Sequence, residues 1–314
     1  KFLMFLKKIR TSITKLIIPF VFNFFQFLKT NSRLINFLLE KKHRANNYYN
    51  FEKKIETLLN KKKMIALDVG SQGGFNSDAF FLNKYTKFFK PILVDPIQDG
   101  SKNEKHQFIN KGLWSYKTNK KLYFLGKRPG SSSMYMPNKD SLKIYGFKEK
   151  DFHLFDVTKT ESIECDTIGA SLKSLNIDFL DYLKLDTQGS ELEILKGLES
   201  YKPLLIKCEV QIYPMYKNMP SWTELLNYLN GLNYLLVDWR TIGPHVTRSP
   251  VEMDMIFIPN FSNESGKEII LNRQNEFISL MLISGQISLL KKISEIIGLK
   301  YSENYLNIKD RYFD

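Results

Sequence analysis

The sequence predicts an α/β fold: a mostly parallel seven-stranded sheet with helices on both faces and an antiparallel final strand pair. Three observations carry that reading. Short apolar runs alternate with helix-length segments from Met64 to Cys208. The first run opens into a glycine-rich turn, "LDVGSQGG", Leu67 to Gly74. Near the end, "NYLLVDW" and "MDMIFIP" follow one another with no helix between them, which reads as an antiparallel pair at a sheet edge.

The crossover strands are expected at Met64–Leu67, Ile92–Val94, Gln107–Ile109, Tyr182–Leu185 and Leu204–Cys208. Each is short and apolar throughout, as strands covered on both faces should be. Helices are expected at Ser77–Phe88, Thr167–Leu175 and Glu191–Leu198. Ser190 and Glu193 have the spacing of a capping box before the last of these. A second box, Ser221 with Glu224, starts a helix that Gly231 closes. Residues 120–165, with "KKLYFLG" and "RPGSSSMYMPN", read as an insertion between the third and fourth crossover strands. Beyond Pro259 the chain turns polar and then forms an amphipathic helix from about Glu276 to Ile297. The expected organisation is a basic amphipathic helical extension over 1–60, the main domain over 61–260 and a helical accessory segment over 261–314.

Of the 314 residues, 43% are hydrophobic and 25% charged, the composition of a globular protein. The net charge of +13 is uneven, because residues 1–44 hold ten Lys and Arg against a single acid, Glu40. The α/β part therefore lacks a strongly basic face, and no nucleic-acid partner is expected. The apolar stretch Leu16–Leu28 is interrupted by Pro19, Asn23 and Gln26, and it falls short of the roughly 20 apolar residues a membrane span needs. Peripheral contact with an anionic membrane, or packing on the domain or on a second copy in a homo-oligomer, is expected of it instead. With no signal-peptide pattern, a cytoplasmic protein is expected, with the inner membrane face as its one peripheral site. Cys165 and Cys208 both fall in strands and are expected to be buried, reduced thiols.

The dinucleotide fingerprint needs glycine where this chain has Asp68. A carboxylate there would repel a pyrophosphate, but it suits the protonated amine and the sulfonium of S-adenosylmethionine. Gly70, Ser71, Gly73 and Gly74 are expected to bring the backbone close to that cofactor. Asp95 ends the second strand, where an acid can bind both ribose hydroxyls. Asn110, after the third strand, is assigned to the same cofactor.

Lys184 shares parity with Asp186 and Lys207 with Glu209, so two acids and two lysines are expected at the carboxyl edge of the sheet. Asp186 is the first candidate for the acid beside an acceptor oxygen, as base or as ligand of a divalent metal. Glu209 is the second, and His245, after the sixth strand, is a third. Lys184, Gln188, Glu191 and Tyr213 are expected to line the acceptor side, although Glu191 equally suits a helix first turn. Arg128 and Ser131 to Ser133 form a polar loop suited to an anionic acceptor.

The blocks "LDVGSQGGFNS", "LVDP", "ECDTIGASLKSLNIDFLDYLKLDTQGSELEILKGLE" and "PLLIKCEV" resemble, in order, the motifs of the FkbM-type methyltransferase family. The resemblance runs from about Met64 to Tyr216. It departs at Gln188, where the family more often has Glu, and at Ser71-Gln72, where Ala-Asn is commoner. It implies a Rossmann-like class I methyltransferase fold and a cytosolic S-adenosylmethionine-dependent O-methyltransferase, acting on a hydroxyl of a sugar, glycan or glycosylated metabolite. Two readings compete: an NAD-dependent oxidoreductase, and a non-catalytic membrane-associated binding module. Binding of S-adenosylhomocysteine, of NAD or of neither separates the three.

Overall fold

The computed structural model describes residues 51–97, 106–242 and 250–299. All of them belong to one compact unit that begins at Phe51. The basic segment 1–44 and His245 lie outside the described residues.

After α1 (Glu52–Leu59), the main sheet is built from β1 (Met64–Val69), β2 (Phe89–Val94) and β3 (Gln107–Ile109). A second, three-stranded sheet intervenes: β4 (Gly112–Leu113), β5 (Thr118–Leu125) and β6 (Val157–Asp166). The main sheet then resumes through α2 (Ile168–Ser174), β7 (Tyr182–Leu185), α3 (Glu191–Lys196), β8 (Leu205–Gln211), α4 (Trp222–Gly231), β9 (Tyr234–Ile242) and β10 (Glu252–Pro259). Its strand order is β3-β2-β1-β7-β8-β10-β9. All pairings are parallel except those of β10, which runs antiparallel to β8 and β9. This is the class I methyltransferase arrangement expected from the sequence. Chain order reverses between β1 and β7, so a crevice opens at their carboxyl ends. The expected insertion is larger than 120–165, because β4 at Gly112 pairs with the end of β6.

Side chains alternate between the two faces of each strand. One face sends Leu67, Leu183, Leu185, Ile206 and Cys208 into a single core with Ile168, Leu172, Leu192, Leu195, Leu225 and Leu229 from the helices. The other face is charged near the crevice: Asp68, Lys184 and Lys207 stand in register on three adjacent strands. Phe80 and Phe81 cover this face, with ring centroids 6.0 and 6.2 Å from Tyr182.

That covering explains why no α-helix forms at Ser77–Phe88. Asn76 and Ala79 take positive φ (59° and 51°). The Asn76 side chain closes a loop on Phe81, donating to its carbonyl at 2.8 Å and accepting from its N–H at 3.2 Å. Two adjacent phenylalanines can then both be buried, and only Asn83–Phe88 winds into a 3₁₀ segment. Tertiary burial overrides local helix propensity here.

The single C-terminal helix expected from the sequence is three: α5 (Glu264–Asn272), α6 (Gln274–Ser284) and α7 (Ile287–Ile297). Gly285, at φ 82°, ends α6 in the left-handed region. Every residue of α6 from Phe277 to Ser284 is buried, so it is a core helix rather than an amphipathic surface one. Between α5 and α6, Arg273 reaches Asp181 at 2.9 Å. Asp181 is fully buried just before β7 and also accepts from the Ile65 N–H at 2.7 Å. Arg273→Ala strands that carboxyl and is expected to lower stability by about 3–5 kcal/mol in guanidinium unfolding, whereas a loss under about 1 kcal/mol would show that Asp181 does not depend on it.

Cys165 and Cys208 are free and buried. Among the described residues, no helix is long and apolar enough to cross a membrane.

Candidate active site

The glycine turn after β1 is shaped mainly by the protein itself. Gly70 has φ 78°, and a Cβ there would lie 1.9 Å from the Asp186 carbonyl oxygen, so the turn rests against the chain leaving β7. Gly73 has φ 88°, and its Cβ would meet the Ser77 Cβ at 3.2 Å. Gly74, at φ 91°, has nothing within 4 Å of the same position. The three glycines thus differ in what the protein itself asks of them. Gly70 is required by backbone against backbone, Gly73 by its own turn, and Gly74 borders open space.

Asp68 is almost fully buried. Its Oδ1 accepts from Lys184 Nζ at 3.1 Å, while Oδ2 has no partner. The Ser71 hydroxyl is likewise buried without one. Burial pushes the Asp68 carboxyl above its ordinary range, and Lys184 pulls it part of the way back. Asp95, buried at the end of β2, is oriented by the Ile97 N–H at 2.8 Å. Asn110 stands exposed just past β3.

Lys184 is buried against carboxylates and does not line the cavity beside Gln188. Its Nζ lies 3.1 Å from Asp68 and 3.6 Å from Asp186, and the residue is 2% exposed. Lys207 is held in the same way, 2.7 Å from Asp78 and 2.6 Å from Asp254. Burial works against both ammonium groups, but the surrounding carboxylates outweigh it and raise both pKa values. Two buried cations among four carboxylates lock β1, β7, β8, β10 and the Phe80 loop together. That pairing is what makes lysine tolerable inside a covered strand.

Glu191 takes the second of its two expected places, the first turn of α3. It accepts from the Thr187 N–H at 2.8 Å, the Thr187 hydroxyl at 3.0 Å and the Gly189 N–H at 3.0 Å, so it shapes the turn that opens α3. Burial nevertheless pushes it up to about 7. The Ser190 hydroxyl makes no cap, and Glu193 bonds Ser115 and Lys196 instead, so the expected capping box is absent. The box at Ser221 and Glu224 forms as expected.

This turn puts Gln188 at φ 58°. Its Nε2 donates to Asp186 Oδ1 at 3.1 Å and to Glu209 Oε1 at 3.0 Å, and its Oε1 accepts from the Tyr216 hydroxyl at 2.9 Å. Ser133 donates to its carbonyl at 2.7 Å. A glutamate could not donate to two acids, so the departure at Gln188 matches its carboxylate neighbours.

Beside Gln188 lies a cavity of about 510 Å³. Asp186, Glu209 and Glu252 line it from the sheet, and Arg128 and Tyr145 from the inserted segment. Glu252 was missed in reading the sequence. Because β10 runs antiparallel, its first residue stands beside Gln211 at the carboxyl end of β8. The signal was present, since Glu252 shares parity with Asp254 at the start of a strand whose direction was already assigned. Burial, then Asp186 and Glu252, push the Glu209 carboxyl well above the ordinary carboxylate range. Burial and Asp186 push Glu252 up to about 7. Tyr213, expected at the acceptor, packs part-buried on a second core with Tyr145, Phe155 and Met215 instead. Asp186 finds no companion metal ligands: among the described residues, no group of three or more His, Cys, Asp or Glu could hold a metal ion.

The family model described as "Methyltransferase FkbM domain" matches residues 47–236. No curated protein matches the chain. Among solved structures, TrmK of M. capricolum, in complex with S-adenosyl-homocysteine, is 15% identical, with 80% of this chain and 88% of that one covered at a TM-score of 0.28. The 16S rRNA methylase ArmA is 10% identical, with 74% and 94% covered at a TM-score of 0.26. Likeness this low says nothing about the acceptor.

Proposed function

The chain belongs to the FkbM methyltransferase family, and from that premise we propose that it transfers a methyl group from S-adenosylmethionine to a hydroxyl of a sugar, glycan or glycosylated metabolite. The observation that carries the acceptor reading is the cavity at the carboxyl ends of β7 and β8, walled by three acids and a carboxamide. Such groups accept hydrogen bonds from neighbouring hydroxyls, and the volume is that of a small-ligand site.

The residues around the glycine turn fit the cofactor. Asp68 Oδ2 and the Ser71 hydroxyl are buried polar atoms with no protein partner, and in the same turn a Cβ at Gly74 would meet nothing within 4 Å. Asp68 and Ser71 would hold the amino-acid end, and Asp95 the ribose. Bound there, S-adenosylmethionine supplies an electrophilic methyl group. A pyrophosphate would meet the Asp68 carboxyl instead, which disfavours the NAD reading.

The chain's own task is to orient the hydroxyl and take its proton. Asp186, fixed by Gln188 and resting against Gly70, stands between the glycine turn and the cavity. It is assigned to orient the acceptor oxygen. Glu252, raised to about 7, exchanges a proton readily near neutral pH and is assigned as the base. Glu209, pushed well above the ordinary carboxylate range by burial and by Asp186 and Glu252, shares the cavity wall as a further hydrogen-bonding partner for the acceptor.

Calorimetry with S-adenosylhomocysteine and NAD tests the cofactor half. Asp68→Asn keeps the shape and removes the charge, and it is expected to weaken S-adenosylhomocysteine binding roughly tenfold or more. Unchanged affinity in a folded variant counts against the assignment. Mass spectrometry of glycans and glycolipids from cells with and without the protein tests the acceptor half. The expected difference is one added methyl on a sugar hydroxyl, and methylation confined to nucleic acid would overturn the acceptor reading.

A further inference from the structure

The cavity contains a cation that the described residues leave unpaired. Arg128 follows β5 in the inserted segment, and its guanidinium lies 5.0 Å from the Phe147 ring centroid and 4.7 Å from that of Phe155. Those two rings stand 5.0 Å apart at 76°, so the group sits in the corner of two nearly perpendicular aromatic faces. Cation–π contact satisfies the faces of a guanidinium but uses none of its five N–H donors. No ion pair or side-chain hydrogen bond joins Arg128 to any described residue. It lies near enough to Glu252 to favour that group's ionised form, without an ion pair between them.

A planar donor fork fixed on an aromatic corner is built for a planar or tetrahedral oxyanion, which it binds through two parallel hydrogen bonds. The remaining charge-bearing groups on the wall, Asp186, Glu209 and Glu252, would repel such an anion. It therefore has one place to go, and its position orients the rest of the molecule toward the acids.

We infer that the acceptor carries a carboxylate or phosphate group that Arg128 binds, while a hydroxyl of the same molecule meets the acids on the cavity wall. This rests on reading the cavity as the acceptor site. Arg128 is then a specificity-determining residue that selects acidic or phosphorylated sugars over neutral ones.

The test uses the full chain saturated with S-adenosylhomocysteine, titrated by calorimetry with methyl glucoside, glucuronate and glucose 6-phosphate. At least one charged sugar is expected to bind about tenfold tighter than the glucoside, with glucuronate and the phosphate telling the two anions apart. Arg128→Gln should erase the preference and leave S-adenosylhomocysteine affinity unchanged. Arg128→Lys, which keeps the charge but not the fork, should retain only part of it and serves if the first variant does not fold. Equal affinity for all three sugars, or a preference that survives the Gln variant, overturns the inference and leaves the acceptor reading standing. If the protein binds S-adenosylhomocysteine and none of the sugars, the acceptor reading falls as well.

Discussion

Gly70→Ala is expected to yield a protein that is largely unfolded or strongly destabilised. The added Cβ would lie 1.9 Å from the Asp186 carbonyl oxygen, and the obstacle is backbone, so no rotamer change relieves the overlap. The residue also sits at φ 78°, where an L side chain is strained by about 1–3 kcal/mol before any clash is counted. Together these predict a loss of at least about 4 kcal/mol, in the range reserved for mutations with an identifiable structural cause. Gly74→Ala is the control, because its φ of 91° is equally unfavourable but the space around it is open. That variant should fold with a smaller loss of stability and should bind S-adenosylhomocysteine less well. Equal guanidinium midpoints for Gly70→Ala and the wild type would mean that the turn does not rest on the β7 strand end.

Glu252→Gln is expected to lower turnover about 10²- to 10⁴-fold, the usual contribution of a positioned general base. Affinity for S-adenosylhomocysteine should hold, since Glu252 belongs to the acceptor cavity and not to the glycine turn. The sign of the pH dependence follows from the raised pKa. A base works in its ionised form, so wild-type kcat should climb as pH rises through about 7 and then level off, and the variant should lose that limb. Stability should move the other way. The folded-state pKa lies above the ordinary carboxylate value, so protonation favours the folded state. That contribution is present at low pH and is lost as pH rises through about 7. A wild-type rate that stays flat between about pH 6 and 8 would remove Glu252 from the proton-transfer role.

The fold was legible because its signals are short-range. A strand covered on both faces needs four or five apolar residues in a row, a capping box needs four, and a helixless gap between two strands shows directly in the sequence. The places of Asp68, Asp95 and Asp186 at strand ends followed from the same patterns. The site was legible only in part. Lys184 looked like a group facing a ligand because its true partner, Asp68, is 116 residues away. Glu191 and Ser190 are neighbours in sequence and both are buried, and which of them shapes the turn depended on which side chain reaches the Thr187 and Gly189 N–H groups. The aromatic corner around Arg128 joins three separate parts of an inserted segment, and no periodicity announces it.

By itself, the sequence determined the number and direction of the strands of the main sheet and the presence of acids along its carboxyl edge. Periodicity and turn chemistry are properties of a few consecutive residues, so they survive without knowledge of the rest. Only the tertiary structure decided which of those acids are spent on buried lysines and which remain in a cavity. A buried charge is governed by whatever lies within a few ångströms of it, and strand register, not sequence distance, sets that neighbourhood.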